Sequence, residues 1–487
     1  MRVVFILLSL LQAGLSCGQK ISEFDGAKEE PIFKSKADSV HYFLLEKVIS
    51  KSFAHATDPK KLDSLFRLRE ELLRNKIVGF RKVYRPNPDF FRFEDMNEDS
   101  SVSQFKEISI STGKFKRLPP KIFSCKNLET LQLVNTSLKA ITRKTNRLHK
   151  LKTIIIFNNN SGKPLKLKKN RSIETLIIRG QKPNTLPSTY KKFKSLAKLD
   201  LSSNSLTTFP NEVRHNRKLK ELVLLNNEIT LEGNEIKKNQ VIEKLDLSKN
   251  KLTKVPSSIE NLPHLKTLKF NYNAISHVSS EISCLSSLEN LSFYNNQLKE
   301  IPAGIYQLRS LKEIDLYYNQ IERLDTNIVK WQSLEVLYAA FNKIYSLPNN
   351  LGSLTNLQEL YLHDNRLSFI PENIGDLENL TVLRINNNSL PQLPYSLPKL
   401  TNLENLDISR NEIRFLPDNF FNFQHLKLLA LVGNPWDSET KEILLKKVKE
   451  FRWTIVWLAL NSFTFFSNIS FVSESQGLPT SANNFRC

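Results

Sequence analysis

The sequence predicts an α/β solenoid: a curved parallel β-sheet on the concave face, loops or short helices on the convex side, and a small helical unit at the N-terminus. Three observations carry this. One apolar frame recurs at fixed period from Phe105 to beyond Leu426. Apolar and polar residues alternate inside each copy, as in a half-buried strand. An asparagine closes almost every copy.

The frame reads L-x-x-L-x-L-x-x-N-x-L and has fifteen starts: Phe105, Leu128, Leu151, Ile173 and then Leu or Ile to Leu426. Every step is 23 residues except the 22 between Leu151 and Ile173. The copy Lys312 to Leu324, KEIDLYYNQIERL, shows the chemistry. Ile314 and Leu316 point to one side of a short strand, and Asn319 follows in the turn. Asparagine suits that turn because its amide satisfies backbone groups there and can stack as a ladder. The position holds Asn159 and then Asn204 to Asn434 without a break, and departs only at Gly113, Thr136 and Gln181. Pairs such as Val255-Pro256, Ile301-Pro302 and Leu347-Pro348 follow, where a missing N–H costs little. One copy cannot bury its apolar face alone, so the copies must stack.

This pattern resembles the leucine-rich repeat family in its 23-residue form, over Phe105 to about Pro435. The resemblance implies a solenoid that binds another macromolecule, most simply a protein, and catalyses nothing. Bacterial surface proteins and intracellular signalling scaffolds share this form, so either setting is compatible with the repeats alone.

The flanks divide the chain into residues 1–17, 18–104, 105–435 and 436–487. The start combines Arg2 with an uncharged run from Val3 to Ser16, too short to cross a bilayer and suited to an export signal. Cys17 stands where the lipid-modified cysteine of bacterial lipoproteins stands, although Gly14 occupies that motif's usual leucine position. The expectation is an exported chain at the cell envelope, lipid-anchored at Cys17, with plain secretion as the alternative. Residues 18–104 hold two helix candidates, SVHYFLLEKVIS and TDPKKLDSLFRLREELLRNK, then an acidic linker. They read as a cap over the first strand. After Asn434-Pro435, a helix is expected with Asp437 or Ser438 as N-cap and Ile443, Leu444, Val448 and Phe451 on one side. The uncharged stretch Trp453–Ser473 fits a strand closing the sheet edge, or a membrane insertion weakened by its many Ser and Asn.

Composition excludes several classes. With 40% hydrophobic residues and 13 glycines in 487, the chain suits one long solenoid rather than several globular domains. Its four cysteines form no disulfide framework, and Cys125 occupies a leucine position as a small core hydrophobe. No P-loop, dinucleotide turn, H-E-x-x-H or paired C-x-x-C occurs, and no cofactor or metal is expected. The net charge of +21 is uneven: Phe105 to Ser195 carries 22 Lys and Arg against three acids, leaving the rest near neutrality. Lys166, Lys168, Lys169 and Arg171 lie in its densest part. A solvated surface and a dock for anionic lipid or acidic glycan both fit this block, and nucleic acid ranks below them.

Positions 3, 5, 7 and 8 of each copy belong on or beside the concave face. Across five consecutive copies they hold Tyr272, Tyr294, Tyr317, Tyr318, Tyr338, Phe341, Tyr361 and His363. That is an aromatic band about 20–25 Å wide at strand spacing. Tyrosine favours strands, which would make the band a stabilising stack. Exposed aromatic patches of this extent more often bind a partner.

Overall fold

The structure, a computed structural model, describes residues 28–33, 77–83, 91–92, 105–111, 116–159, 165–181, 188–232, 236–450 and 455–457. Its chain divides into two compact units, Met1–Ser111 with Ser124–Gln132, and Thr112–Phe123 with Leu133–Cys487. In the first, strand Lys28–Phe33 pairs antiparallel with Ile77–Val83. Phe91–Arg92 pairs parallel with Glu107–Ile110, the strand of the first repeat. These added strands carry no repeat signature. The helices expected over 39–50 and 57–76 lie outside the described residues, as do Cys17 and the leader.

The second unit is built from the repeats. From Thr153–Phe157 onward each strand pairs in parallel with the next, and from Lys198 to Ala430 the register advances by 23 residues at every step, as in Lys198↔Glu221 and Glu313↔Val336. The frame explains the core. Leu311, Ile314, Leu316 and Ile321 are fully buried, and equivalent residues line the interior of every described repeat. Return segments hold short 3-10 turns, the form expected when three to five residues must reverse the chain. In Thr326–Lys330 the Asp325 carboxylate caps the turn, accepting from Asn327 N at 2.8 Å. Trp331, wholly buried behind it, donates its Nε1 to Ile305 O of the preceding repeat at 3.1 Å.

From Asn204 to Asn434 the asparagine ladder is unbroken. Asn319 Oδ1 accepts from Leu298 N at 3.0 Å, and its Nδ2 donates to Phe293 O at 2.9 Å and Leu316 O at 3.1 Å. One amide therefore joins its own turn to the preceding repeat, and Asn227 to Asn434 repeat the pattern. The turn has a second consequence. Position 8, just before the asparagine, takes a left-handed backbone at fourteen repeats, with φ between 51° and 77°. Asn, Gly or Ser fills many of these positions, as the steric cost requires.

At the C-terminal end an α-helix spans Ser438–Glu450. Asp437 is its N-cap, accepting from Thr440 N at 2.7 Å. Leu444 is buried as expected, but Ile443 is 43% exposed and leaves the buried side on which it was expected. Strand Ile455–Trp457 then pairs parallel with Leu428–Ala430. Its register, Leu428↔Ile455, places Ile455 at the third position of a further frame beginning at Trp453. The sequence there reads W-x-x-V-x-L-x-x-N-x-F, with Asn461 in the ladder position. A fixed 23-residue step hides this copy, because the helix lengthens the step to 27. Residues 458–487 lie outside the described residues.

Replacing Asn319 by alanine orphans buried backbone groups in two repeats at once. The expected loss is about 2–4 kcal/mol of unfolding free energy. Urea denaturation measures it, and a loss under ~1 kcal/mol would show that the ladder does not hold the repeats together.

Candidate binding face

The eight residues of the aromatic band, spread over five consecutive repeats, form one connected network of rings. Tyr272 meets Tyr294 with centroids 5.1 Å apart, and Tyr294 meets Tyr318 at 5.4 Å. Tyr318 and Phe341 stack face to face at 4.2 Å with planes 7° apart. Tyr338 stacks on Tyr361 at 4.9 Å, and Phe341 meets His363 at 5.3 Å. Tyr317 touches Tyr294, Tyr338, Phe341, Tyr361 and His363. It reaches His363, two repeats away, because the intervening position-7 residue is the small Ala340.

Exposure is not uniform along the band. Tyr272 and Tyr318 are 45% and 41% exposed, while Tyr294, Tyr338, Phe341, Tyr361 and His363 are half-buried. Tyr317, expected on the open face, is 3% exposed. Five neighbouring rings cover it, so it is the floor of the band rather than its surface.

Strand propensity does not account for the position-8 members. Tyr272, Tyr318 and Phe341 lie beyond the strands Thr267–Lys269, Glu313–Asp315 and Val336–Tyr338. All three occupy position 8 in the left-handed conformation, at φ 55°, 53° and 54°. A bulky side chain there costs about 1–2 kcal/mol. The turn projects these rings outward while its asparagine is held inside.

Charged residues complete the face. Lys249 Nζ lies 5.2 Å from the Tyr272 ring centre at one end, and Arg384 Cζ lies 5.7 Å from Tyr361 at the other. Arg384 Nε and His363 Nδ1 are buried with no hydrogen-bond partner. Beneath the band, Asp315 is 2% exposed; it accepts from Ser292 Oγ at 2.9 Å and Tyr317 N at 3.1 Å. Sequence reasoning passed over Asp315, though a signal existed. Asp200, Asp246 and Asp407 occupy the same position and each is followed two residues later by a serine, whereas Asp315 is followed by Tyr317. Burial pushes the Asp315 carboxyl up to about 7, and burial with nearby Arg384 pushes His363 down to about 4.

The basic residues occupy another place. Lys166, Lys168, Lys169 and Arg171 are exposed on a return segment, where Lys166–Leu167 pairs with Ala140–Ile141. Cys125 is buried, as its leucine position implies, and Cys284 is exposed. Among the described residues, no cluster of His, Cys, Asp and Glu could hold a metal ion.

Comparison with known proteins agrees with this architecture. Family models for a leucine-rich repeat region and two leucine-rich repeats match residues 277–385, 240–298 and 402–423. A leucine-rich repeat protein of Leptospira interrogans is 27% identical, covering 72% of this chain and 95% of its own, with a TM-score of 0.59. Toll of Drosophila, in complex with Spatzle, is 18% identical, covering 69% of this chain and 51% of its own, with a TM-score of 0.57. No curated protein matched. The chain is a leucine-rich repeat protein.

The two perturbed groups tilt stability in opposite directions. Asp315 has its folded value above its unfolded one, so its contribution is whole below about 4 and is lost as pH rises towards 7. His363 has its folded value below its unfolded one, so its contribution is whole above about 6.5 and is lost as pH falls towards 4. Between pH 4 and 7 these two contributions should largely cancel. Asp315→Asn should leave a protein that weakens on acidification, and His363→Gln one that weakens as pH rises. Denaturation midpoints across that range decide it; two variants with the wild-type profile would remove both assignments.

Proposed function

We propose that the chain binds a protein partner through the aromatic band on its sheet face and performs no chemistry. One observation carries the reading: Tyr272, Tyr318 and Phe341 place bulky rings at the left-handed position that most repeats give to Asn, Gly, Ser or Asp, and neither strand formation nor core packing requires a ring there. Tyrosine offers rigid area with a polar tip, the profile of an interface anchor. The unpartnered Arg384 Nε and His363 Nδ1 beside the band give a partner polar groups to satisfy. Toll, a solenoid of this fold, has been seen with a protein bound, and the likeness there is one of fold.

Two variants separate binding from folding. Tyr318→Asn removes a backbone cost of about 1–2 kcal/mol and a ring stack worth ~0.5–1.5 kcal/mol, so stability should change by less than about 1 kcal/mol. Tyr317→Ala empties a buried site and should cost about 3–5 kcal/mol. Proteins captured on the full chain from its source cells should be lost with Tyr318→Asn and Tyr272→Asn. Capture unchanged by either substitution would refute the face.

We also propose export to the cell envelope with a lipid anchor at Cys17. Its support is the sequence of the leader, Arg2 followed by the apolar run to Ser16. Cys17→Ser should move the protein from the membrane to the soluble fraction. Unchanged membrane partition would remove Cys17 as the anchor.

A further inference from the structure

The return side of the first half of the solenoid has no part in the aromatic face. Five consecutive return segments, residues 138–150, 161–172, 183–195, 206–218 and 229–241, carry eighteen Lys and Arg against three acids, Glu212, Glu232 and Glu235. In the sequence these cations stand apart, but the structure brings them into register. Lys166 N and Lys168 N donate to Lys139 O and Ile141 O at 3.0 Å, setting the segment of Arg143 and Lys144 beside that of Lys168 and Lys169. Asn146 Nδ2 donates to Lys169 O at 3.1 Å. Asn170 N donates to Lys192 O at 3.4 Å, Lys194 N returns a bond to Asn170 O at 3.3 Å, and Ser195 Oγ reaches Arg171 O at 2.7 Å. Asn216 Nδ2 ties the next turn to Tyr190 O and Phe193 O, and Lys237 N donates to Asn211 Oδ1.

Backbone and Asn or Ser side-chain bonds thus hold the row, and its charged ends point to solvent. Lys144, Lys168, Lys192, Arg214 and Lys237 are all exposed. Among the described residues, Lys152, Arg179, Lys198 and Lys220 form ion pairs beside or within the strands. Later return segments mix signs, as Glu322, Arg323, Asp325 and Lys330 show.

We propose that this flank binds a linear acidic polysaccharide laid along the stacking direction. Cations repeat along it once per repeat, at ~4.8 Å where Ala140–Ile141 pairs with Lys166–Leu167. That spacing is of the order of one sugar, so a chain with an acidic group on each residue can meet successive repeats. A membrane is the poorer fit. Surface-bound proteins add apolar or aromatic wedges to their cations, and among the described residues before Tyr272 no large hydrophobic side chain is exposed. The same lack disfavours single-stranded nucleic acid, whose bases need rings to stack on.

The test uses the full chain and heparin as probe, with dextran, phosphatidylglycerol vesicles and duplex DNA in parallel. Lys144→Gln, Lys168→Gln, Lys192→Gln and Arg214→Gln together should weaken heparin binding roughly tenfold or more and flatten its salt dependence. A control variant, Lys254→Gln, Lys299→Gln, Lys330→Gln and Arg366→Gln, removes equal charge from other repeats and should bind as wild type. All eight side chains are exposed or nearly so, and matching circular dichroism and melting confirm that both variants fold. If the flank variant fails that check, Lys168→Glu alone replaces it and should still weaken heparin binding. No heparin binding, or equal loss in flank and control variants, overturns the proposal. Tighter binding to vesicles or to DNA that the flank variant abolishes overturns it also and reassigns the flank to that ligand.

Discussion

The inward-facing asparagine at the ninth position of most repeats is the interaction on which the molecule depends. A short strand followed by a turn leaves backbone groups that a single repeat cannot satisfy, and burying them unpaired would cost more than the apolar stack returns. One amide, with two donors and an acceptor, closes its own turn and grips the preceding repeat at the same time. Stacking and turn geometry are therefore one constraint. Where Thr136 replaces the asparagine, its hydroxyl leans on Asn159 instead, and the ladder reaches across the gap.

That constraint also makes the candidate binding face. Holding the asparagine inside forces the residue before it into the left-handed region, with its side chain outside. Most repeats fill the position with small or turn-tolerant residues. Three of four consecutive repeats use Tyr272, Tyr318 and Phe341 instead, and Asn295 interrupts them. The stack of Tyr318 on Phe341 offsets part of the backbone cost, which is why the arrangement can persist without a ligand. The floor of the band has a different logic. The Tyr317 backbone N–H donates to Asp315, whose buried carboxyl resists ionisation, and two repeats on the half-buried His363 imidazole, in contact with the Tyr317 ring, resists protonation.

Aromatic and basic features occupy different repeats and different sides of the repeat. The rings belong to strand and turn positions between Tyr272 and His363, and the cations to return segments before Lys238. A solenoid permits this separation because each repeat contacts only its neighbours, so one stretch can change its surface without disturbing another. Two partners of unlike chemistry can then be held on one chain.

The sequence by itself determined the repeat, its core and its ladder, because a fixed period projects the same position to the same place in every copy. It named the eight members of the aromatic band for the same reason. Tertiary structure decided what lies between copies. Tyr317 is buried because Ala340 leaves room for it, and Arg143 stands beside Lys168 because two strands happen to pair. The repeat at Trp453 became legible only through its register with Leu428, since a helix of thirteen residues had stretched the step. Period is a property of one copy, whereas exposure, charge clustering and ring contact belong to pairs of copies, and only the packed chain specifies pairs.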